Sequence, residues 1–188
     1  MKMLSKWYHP ISKDVEKRAS KVKLLICDID GVFSDGKIYM GNQNEELKTF
    51  NTKDGFGIKA LMKTGVEVAV ITGRKSNIVT QRMKSLGVNL VYQNMEDKLV
   101  GYGELKHALG IEDSEVAYIG DDYPDIPVMQ HCGLAVAVQD AHPYVKEISH
   151  YTTSLNGGYG AVRELTDIIL AAQNGEEHLI KGFTGVSG

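Results

Sequence analysis

The chain has 188 residues, 43% hydrophobic and 24% charged, with a formal net charge of -3 at pH 7. That length suits one globular domain of on the order of 150 residues or a little more, and the composition excludes a disordered chain. The slight acidic surplus argues against a nucleic-acid partner, and apolar runs such as residues 134–138 fall far short of the roughly 18 residues that a membrane span needs.

Residues 1–21 are polar and carry Pro10, with a short helix expected over 12–20 behind a Ser12 cap. Residues 22–27 form a short apolar run that reads as a strand buried on both faces. A β-hairpin is expected over about 36–51, where 37–40 and 46–50 flank the turn-forming Gly41, Asn42, Gln43 and Asn44. Helical and strand patterns then alternate. Helices are expected over 55–63, 75–86, 97–109, 124–130, 143–148 and 160–173, with strands over 66–71, 88–92, 116–119, 134–138 and 150–152. Most of the helices repeat their apolar residues at i, i+3 and i+4, as Ile78, Val79, Met83 and Leu86 do. From Gly175 to Gly188 the chain is glycine-rich without periodicity and reads as a flexible tail.

This alternation predicts a single α/β domain over 1–188: a three-layer, Rossmann-like parallel sheet with helices on both faces and right-handed crossovers. Cys27 and Cys132 lie in apolar surroundings and read as buried small hydrophobes. Lys2 and Lys6 are followed by no apolar stretch of the signal-peptide kind, so a cytoplasmic protein is expected.

In such a sheet ligands bind outside the carboxyl ends of the strands. Asp28, Asp30 and Gly31 follow the first strand, Thr72, Gly73 and Arg74 the second, and Gly120, Asp121 and Asp122 the fourth, with Asp125 close behind. Lys98 opens the helix after the third. Carboxylates gathered this closely repel unless a cation sits among them, and an oxygen-only donor set favours Mg²⁺. The expected ligands are two carboxylates, a backbone carbonyl, a phosphate oxygen and waters. A carboxylate is ionised at neutral pH and can attack phosphorus without a base, giving an aspartyl-phosphate, with Lys98 and the metal relieving charge repulsion. A second carboxylate two residues on can protonate the leaving alkoxide and then activate water. Thr72 and nearby N–H groups would hold the phosphoryl oxygens. Asp122 and Asp125 flank Pro124 and also read as caps of the next helix, with Asp125 in a supporting role. His142 reads as a turn residue, and Gly157 and Gly158 as a plain turn.

Together, Asp28-Ile29-Asp30-Gly31, Thr72, Lys98 and Gly120-Asp121-Asp122 with Asp125 resemble the four motifs of the haloacid dehalogenase-type phosphohydrolases. The resemblance makes Asp28 the nucleophile, Asp30 the acid/base, and Asp28, Asp30 (through its carbonyl) and Asp121 the metal ligands. Residues 22 to about 173 resemble, more specifically, the 3-deoxy-D-manno-octulosonate 8-phosphate phosphatases. The segments carrying this are Asp35-Gly36, residues 51–55 and 71–74, Ala141-His142-Pro143, and Gly157-Gly158 with residues 160–164. This implies a sugar-acid phosphate substrate and a product that feeds lipopolysaccharide synthesis. It also implies substrate contacts at Asp30, Asn51, Thr52, Lys53, Asp54, Gly55, Lys59, Arg74, Arg82 and Lys98, some reaching a neighbouring subunit. Lys53 and Lys59 stand where relatives often carry Arg. Only residues 31–54 separate the first strand from the first helix of the alternation, too few for a cap domain, so the enzyme is expected to be capless. The resemblance implies a homotetramer in which hairpins pack together and the tail reaches an adjacent site. A nonulosonate 9-phosphate phosphatase and a non-catalytic oligomerisation domain of this fold are the alternatives.

Overall fold

In the computed structural model, which describes residues 1–43 and 45–176, short apolar segments and amphipathic helices alternate as the sequence pattern predicts. In chain order the elements are α1 (Lys13–Ala19), β1 (Leu24–Cys27), β2 (Tyr39–Met40), β3 (Glu46–Leu47), α2 (Thr52–Met62), β4 (Glu67–Ile71), α3 (Asn77–Leu86), β5 (Leu90–Tyr92), α4 (Lys98–Leu109), β6 (Val116–Gly120), α5 (Ile126–Met129), β7 (Leu134–Ala137), α6 (Pro143–Ile148), β8 (Tyr151–Thr152) and α7 (Ala161–Asn174). Six strands form one parallel sheet in the order β5-β4-β1-β6-β7-β8. β1 is central, with Leu24 in register with Glu67 on one side and Val116 on the other. Successive strand residues face opposite sides, and all of β1, β6 and β7 is buried, so helices cover both faces. This is the expected α/β architecture. No helix among the described residues is long and apolar enough to cross a membrane.

Ser12 caps α1 as expected, accepting from Val15 N. α2 starts at Thr52, three residues before the predicted start, because the Asn51 side chain accepts from Lys53 N at 2.9 Å and completes a cap. Gly55 and Gly57 lie inside this helix instead of marking its start. A Cβ on Gly57 would meet Thr166 Oγ1 at 2.2 Å, so glycine here lets α2 lie close against α7. The N-terminal arm is anchored by the fully buried Leu4 and by Tyr8, whose hydroxyl donates to Asp167 at 2.9 Å, whereas Trp7 is half exposed. Both cysteines are free and buried.

Between β1 and α2 the described residues make a turn and a hairpin, with Tyr39 opposite Leu47 and Met40 opposite Glu46. Its strands are shorter than predicted, and Ile38, Tyr39, Met40 and Leu47 leave their apolar side chains exposed, Met40 by 76%. Asn44 of the turn and residues 177–188 of the expected tail lie outside the described residues.

Candidate active site

Each predicted strand-end residue sits where its strand releases it, at the carboxyl edge of the sheet. Asp28, Asp30, Thr72, Arg74, Lys98, Asp121, Asp122 and Asp125 line one cavity of about 390 Å³, together with Gly73, Met95, Glu96 and Pro124. Asp28 follows β1 directly, and its backbone N–H donates to Ile119 O at 3.1 Å, which holds the nucleophile candidate against β6. Gly31 turns the chain away with φ +98°, a conformation that L side chains rarely adopt. A Cβ there would also lie 2.1 Å from Asp121 Oδ2, so glycine is what lets these two strand-end loops touch.

Lys98 is the hub. Its side chain is 4% exposed, and Nζ donates to Asp28 Oδ1 and to Asp125 Oδ1, both at 2.7 Å. Burial pulls the ammonium's pKa down, but the charges of Asp28 and Asp125 outweigh it and the net shift is upward. Lys98 is therefore a fixed cation in the working pH range. Asp125 uses both oxygens fully. Oδ1 accepts from Lys98 and from Tyr118 OH at 2.6 Å, and Oδ2 accepts from the N–H groups of Asp121 and Asp122 at 2.9 and 3.2 Å. The cap reading of Asp125 is thus right as far as it goes, but the same carboxylate also fixes the lysine and the Asp121 loop.

Asp28, Asp121 and Asp125 each bring a carboxylate oxygen within 4.8 Å of the others. Burial, and next the charge of Asp125, push the Asp28 carboxyl up, against the pull of Lys98. Burial followed by the charges of Asp28, Asp125 and Asp122 pushes Asp121 up to about 8. Such a cluster holds its protons until a cation compensates it. The donor set is all oxygen and hard, which fits Mg²⁺. A carboxylate has about four lone-pair positions, and Asp125 has spent four on hydrogen bonds. The oxygens left to face a metal are those of Asp121, which accept no hydrogen bond from the described residues, and the second oxygen of Asp28.

The other sequence-derived positions lie apart. Asn51, Thr52, Lys53, Asp54, Gly55, Lys59 and Arg82 do not line the cavity of this chain. They cluster about the start of α2. Lys53 and Lys59 are exposed on that helix, and Arg82 donates to Asn51 O at 3.3 Å with its guanidinium 5.8 Å from the Phe50 ring centroid. Asp54 is fully buried, accepts from Arg163 N at 2.8 Å and is pushed up to about 6 by its burial. Gly157 and Gly158 do more than turn the chain. A Cβ on Gly157 would stand 1.6 Å from Gly31 O, and Gly158 N donates to Val32 O at 2.9 Å, so this loop buttresses the one carrying Asp30. His142 caps α6 through its ring, and its N–H donates to Asp121 O at 2.8 Å.

Two polar residues at the site escape strand-end reasoning. Tyr118 points down from the middle of β6, and its only sequence signal is a hydroxyl inside an apolar run. Lys48 leaves the hairpin, has a side chain only 1% exposed, and forms ion pairs with Asp30 and, at 3.4 Å, with Glu46. Its signal is the alternation of Glu46 and Lys48 on one face of a short strand.

The sequence profile of the haloacid dehalogenase-like hydrolases matches residues 90–165. A 3-deoxy-D-manno-octulosonate 8-phosphate phosphatase of Yersinia pestis is 51% identical over 180 residues, covering 96% of this chain and 94% of the relative. The crystal structure of the Yersinia pestis phosphatase superposes with a TM-score of 0.88 at 52% identity, covering 89% of this chain and 91% of that one. The phosphatase of Moraxella catarrhalis, solved with a magnesium ion, a phosphate ion and the sugar acid KDO, superposes with a TM-score of 0.90 at 38% identity, covering 93% of this chain and 100% of that one.

Proposed function

Since the chain belongs to the 3-deoxy-D-manno-octulosonate 8-phosphate phosphatases, a family of haloacid dehalogenase-like phosphoric monoester hydrolases, we propose that it hydrolyses 3-deoxy-D-manno-octulosonate 8-phosphate to the free sugar acid and phosphate, with Mg²⁺, in the cytoplasm, on the route to lipopolysaccharide. The observation that carries the reading is the Lys98 ammonium locked between Asp28 and Asp125 beside the free Asp121 carboxylate. It joins a nucleophile, a fixed positive charge and a place for a divalent ion in one cavity.

Asp28, Asp121 and the carbonyl of Asp30 would hold the ion, with Asp122 and Asp125 supporting the loop. When bound, Mg²⁺ neutralises the phosphate and keeps Asp28 ionised. An Asp28 oxygen attacks phosphorus, and the sugar alkoxide leaves with a proton from Asp30. Asp30 then takes a proton from the water that splits the aspartyl-phosphate. Lys98 and Thr72 stabilise the transferring phosphoryl group, and Arg74 offers a bidentate fork to the anionic sugar acid. The basic cluster at the start of α2, with Lys53, Lys59 and Arg82, we assign to sugar contacts completed in a homotetramer. The exposed apolar hairpin supports this, because an open, capless site needs a neighbour to cover it.

The test is phosphate release from a panel of sugar phosphates, with Mg²⁺ and with EDTA. Preferred, EDTA-sensitive release from the eight-carbon acid phosphate is expected. Preference for a nine-carbon acid would overturn the substrate, and no release from any ester would overturn the catalytic reading. Asp28→Asn should fold and turn over nothing, and activity retained in that variant would refute the nucleophile.

A further inference from the structure

The hairpin reaches the catalytic cavity through charge. Lys48 lies one residue past β3, and its ammonium donates to Asp30 Oδ1. Its second carboxylate partner is Glu46, at 3.4 Å, and Glu46 also pairs with Arg74 at 3.2 Å. Asp30, Lys48, Glu46 and Arg74 thus form a chain of alternating charge that joins the loop after β1, the hairpin and the loop after β4. The Lys48 side chain is only 1% exposed, and its ammonium is held between the Asp30 and Glu46 side chains. Asp30 itself is 24% exposed, on the solvent side of the cavity. Apart from this lysine, no described residue donates a hydrogen bond to the Asp30 side chain.

We propose that Lys48 is the positioning residue for the acid/base carboxylate, setting the direction in which Asp30 presents its second oxygen to the leaving group. A short aspartate side chain after a glycine turn has several staggered rotamers open to it, and a partner bonded to one oxygen selects among them. Proton transfer requires heavy atoms within about 3 Å along the line of transfer, so losing that selection slows the step that needs the proton and leaves nucleophilic attack by Asp28 untouched. Glu46 completes the arrangement by holding Lys48 from behind, and Arg74 holds Glu46. The inference rests on the acid/base role proposed above for Asp30.

The leaving group provides the test. The sugar alkoxide needs a proton to depart, whereas p-nitrophenolate departs without one. Turnover of 3-deoxy-D-manno-octulosonate 8-phosphate and of p-nitrophenyl phosphate would be measured for the full-length protein and for Lys48→Met, Lys48→Arg and Asp30→Asn, with Mg²⁺ saturating. General acid–base catalysis contributes about 10²–10⁴-fold. Asp30→Asn should lose kcat/KM, which ends at departure of the leaving group, in that range on the sugar phosphate and far less on the aryl ester, whereas kcat also contains the water step that both esters share. Lys48→Met should show the same selectivity in kcat/KM at smaller size, about tenfold or more, with Lys48→Arg restoring part of the loss. Equal losses of kcat/KM on both esters in Lys48→Met, or no loss on either, would overturn the positioning role. No leaving-group selectivity in Asp30→Asn would instead overturn the acid/base reading on which it stands.

Discussion

Replacing Lys98 by Met keeps the aliphatic stem and removes the charge, which isolates what the ammonium does. In the native chain Nζ sits 2.7 Å from one carboxylate oxygen of Asp28 and one of Asp125, with its side chain 4% exposed. Deleting one partner of a buried ion pair costs about 3–5 kcal/mol, because the charge left behind is stranded. For a domain of this size that amounts to a drop of roughly 6–20 °C in Tm. The cost has a pH signature. The folded-state pKa of Lys98 is raised, so its own contribution is complete at acidic and neutral pH and is lost only in strong alkali. Asp28 and Asp121 are already raised, and without the ammonium they rise further. A carboxyl with a raised folded pKa stabilises while protonated, and that contribution disappears as pH climbs from its unfolded value through its folded one. The variant should therefore melt below the native protein already at pH 5, where the ion pairs of Lys98 are lost, and further below it at pH 9, with Mg²⁺ closing part of the alkaline gap. Thermal unfolding followed by circular dichroism in EDTA, and then with Mg²⁺, reads this directly. A gap that is constant from pH 5 to pH 9, or none at all, would mean that Lys98 does not hold the acids together.

Binding of Mg²⁺ at pH 7 should release at least about one proton, since Asp121, with its pKa pushed up to about 8, and the raised Asp28 must both be ionised as ligands; calorimetric titration in buffers of different ionisation enthalpy counts the release, and zero release would contradict a ligand role. Gly157→Ala forces a methyl to within 1.6 Å of Gly31 O, which should lower stability by at least the ~1–3 kcal/mol of an overpacked core and depress turnover by shifting the Asp30 loop; an unchanged Tm would refute the contact. Changing Met40 and Leu47, exposed by 76% and 65%, to Ser should dissociate the proposed tetramer with the domain still folded, as measured by light scattering, and an unchanged mass would move the interface elsewhere.

The sheet is legible in the sequence because strands buried on both faces must be apolar throughout, and 22–27, 116–119 and 134–138 carry that signature within a residue or two of β1, β6 and β7. The acid cluster is legible for a related reason: Asp28, Thr72 and Asp121 each directly follow a strand, so chain position alone delivers them to one edge. Local chemistry sets what pattern misses. The start of α2 depends on one hydrogen bond accepted by the Asn51 side chain, and its Gly57 answers to α7, more than a hundred residues away. Lys48 meets Asp30 only because the hairpin folds back, which no periodicity encodes. The contacts at 51–55, Lys59 and Arg82 come from family resemblance alone, and a single chain keeps them outside its cavity.

The buttress between Gly157 and Gly31 joins residues near opposite ends of the polypeptide, and β1, the first strand to be synthesised, has neighbours that come from residues 67–70 and 116–119. Long-range parallel pairing of this kind is slow to form and waits for distant segments. A nascent chain on the ribosome therefore carries Asp28, the proposed nucleophile, for most of translation without the full cavity around it, and the cavity is complete only after some 160 residues have emerged and the late loop has closed on the early one.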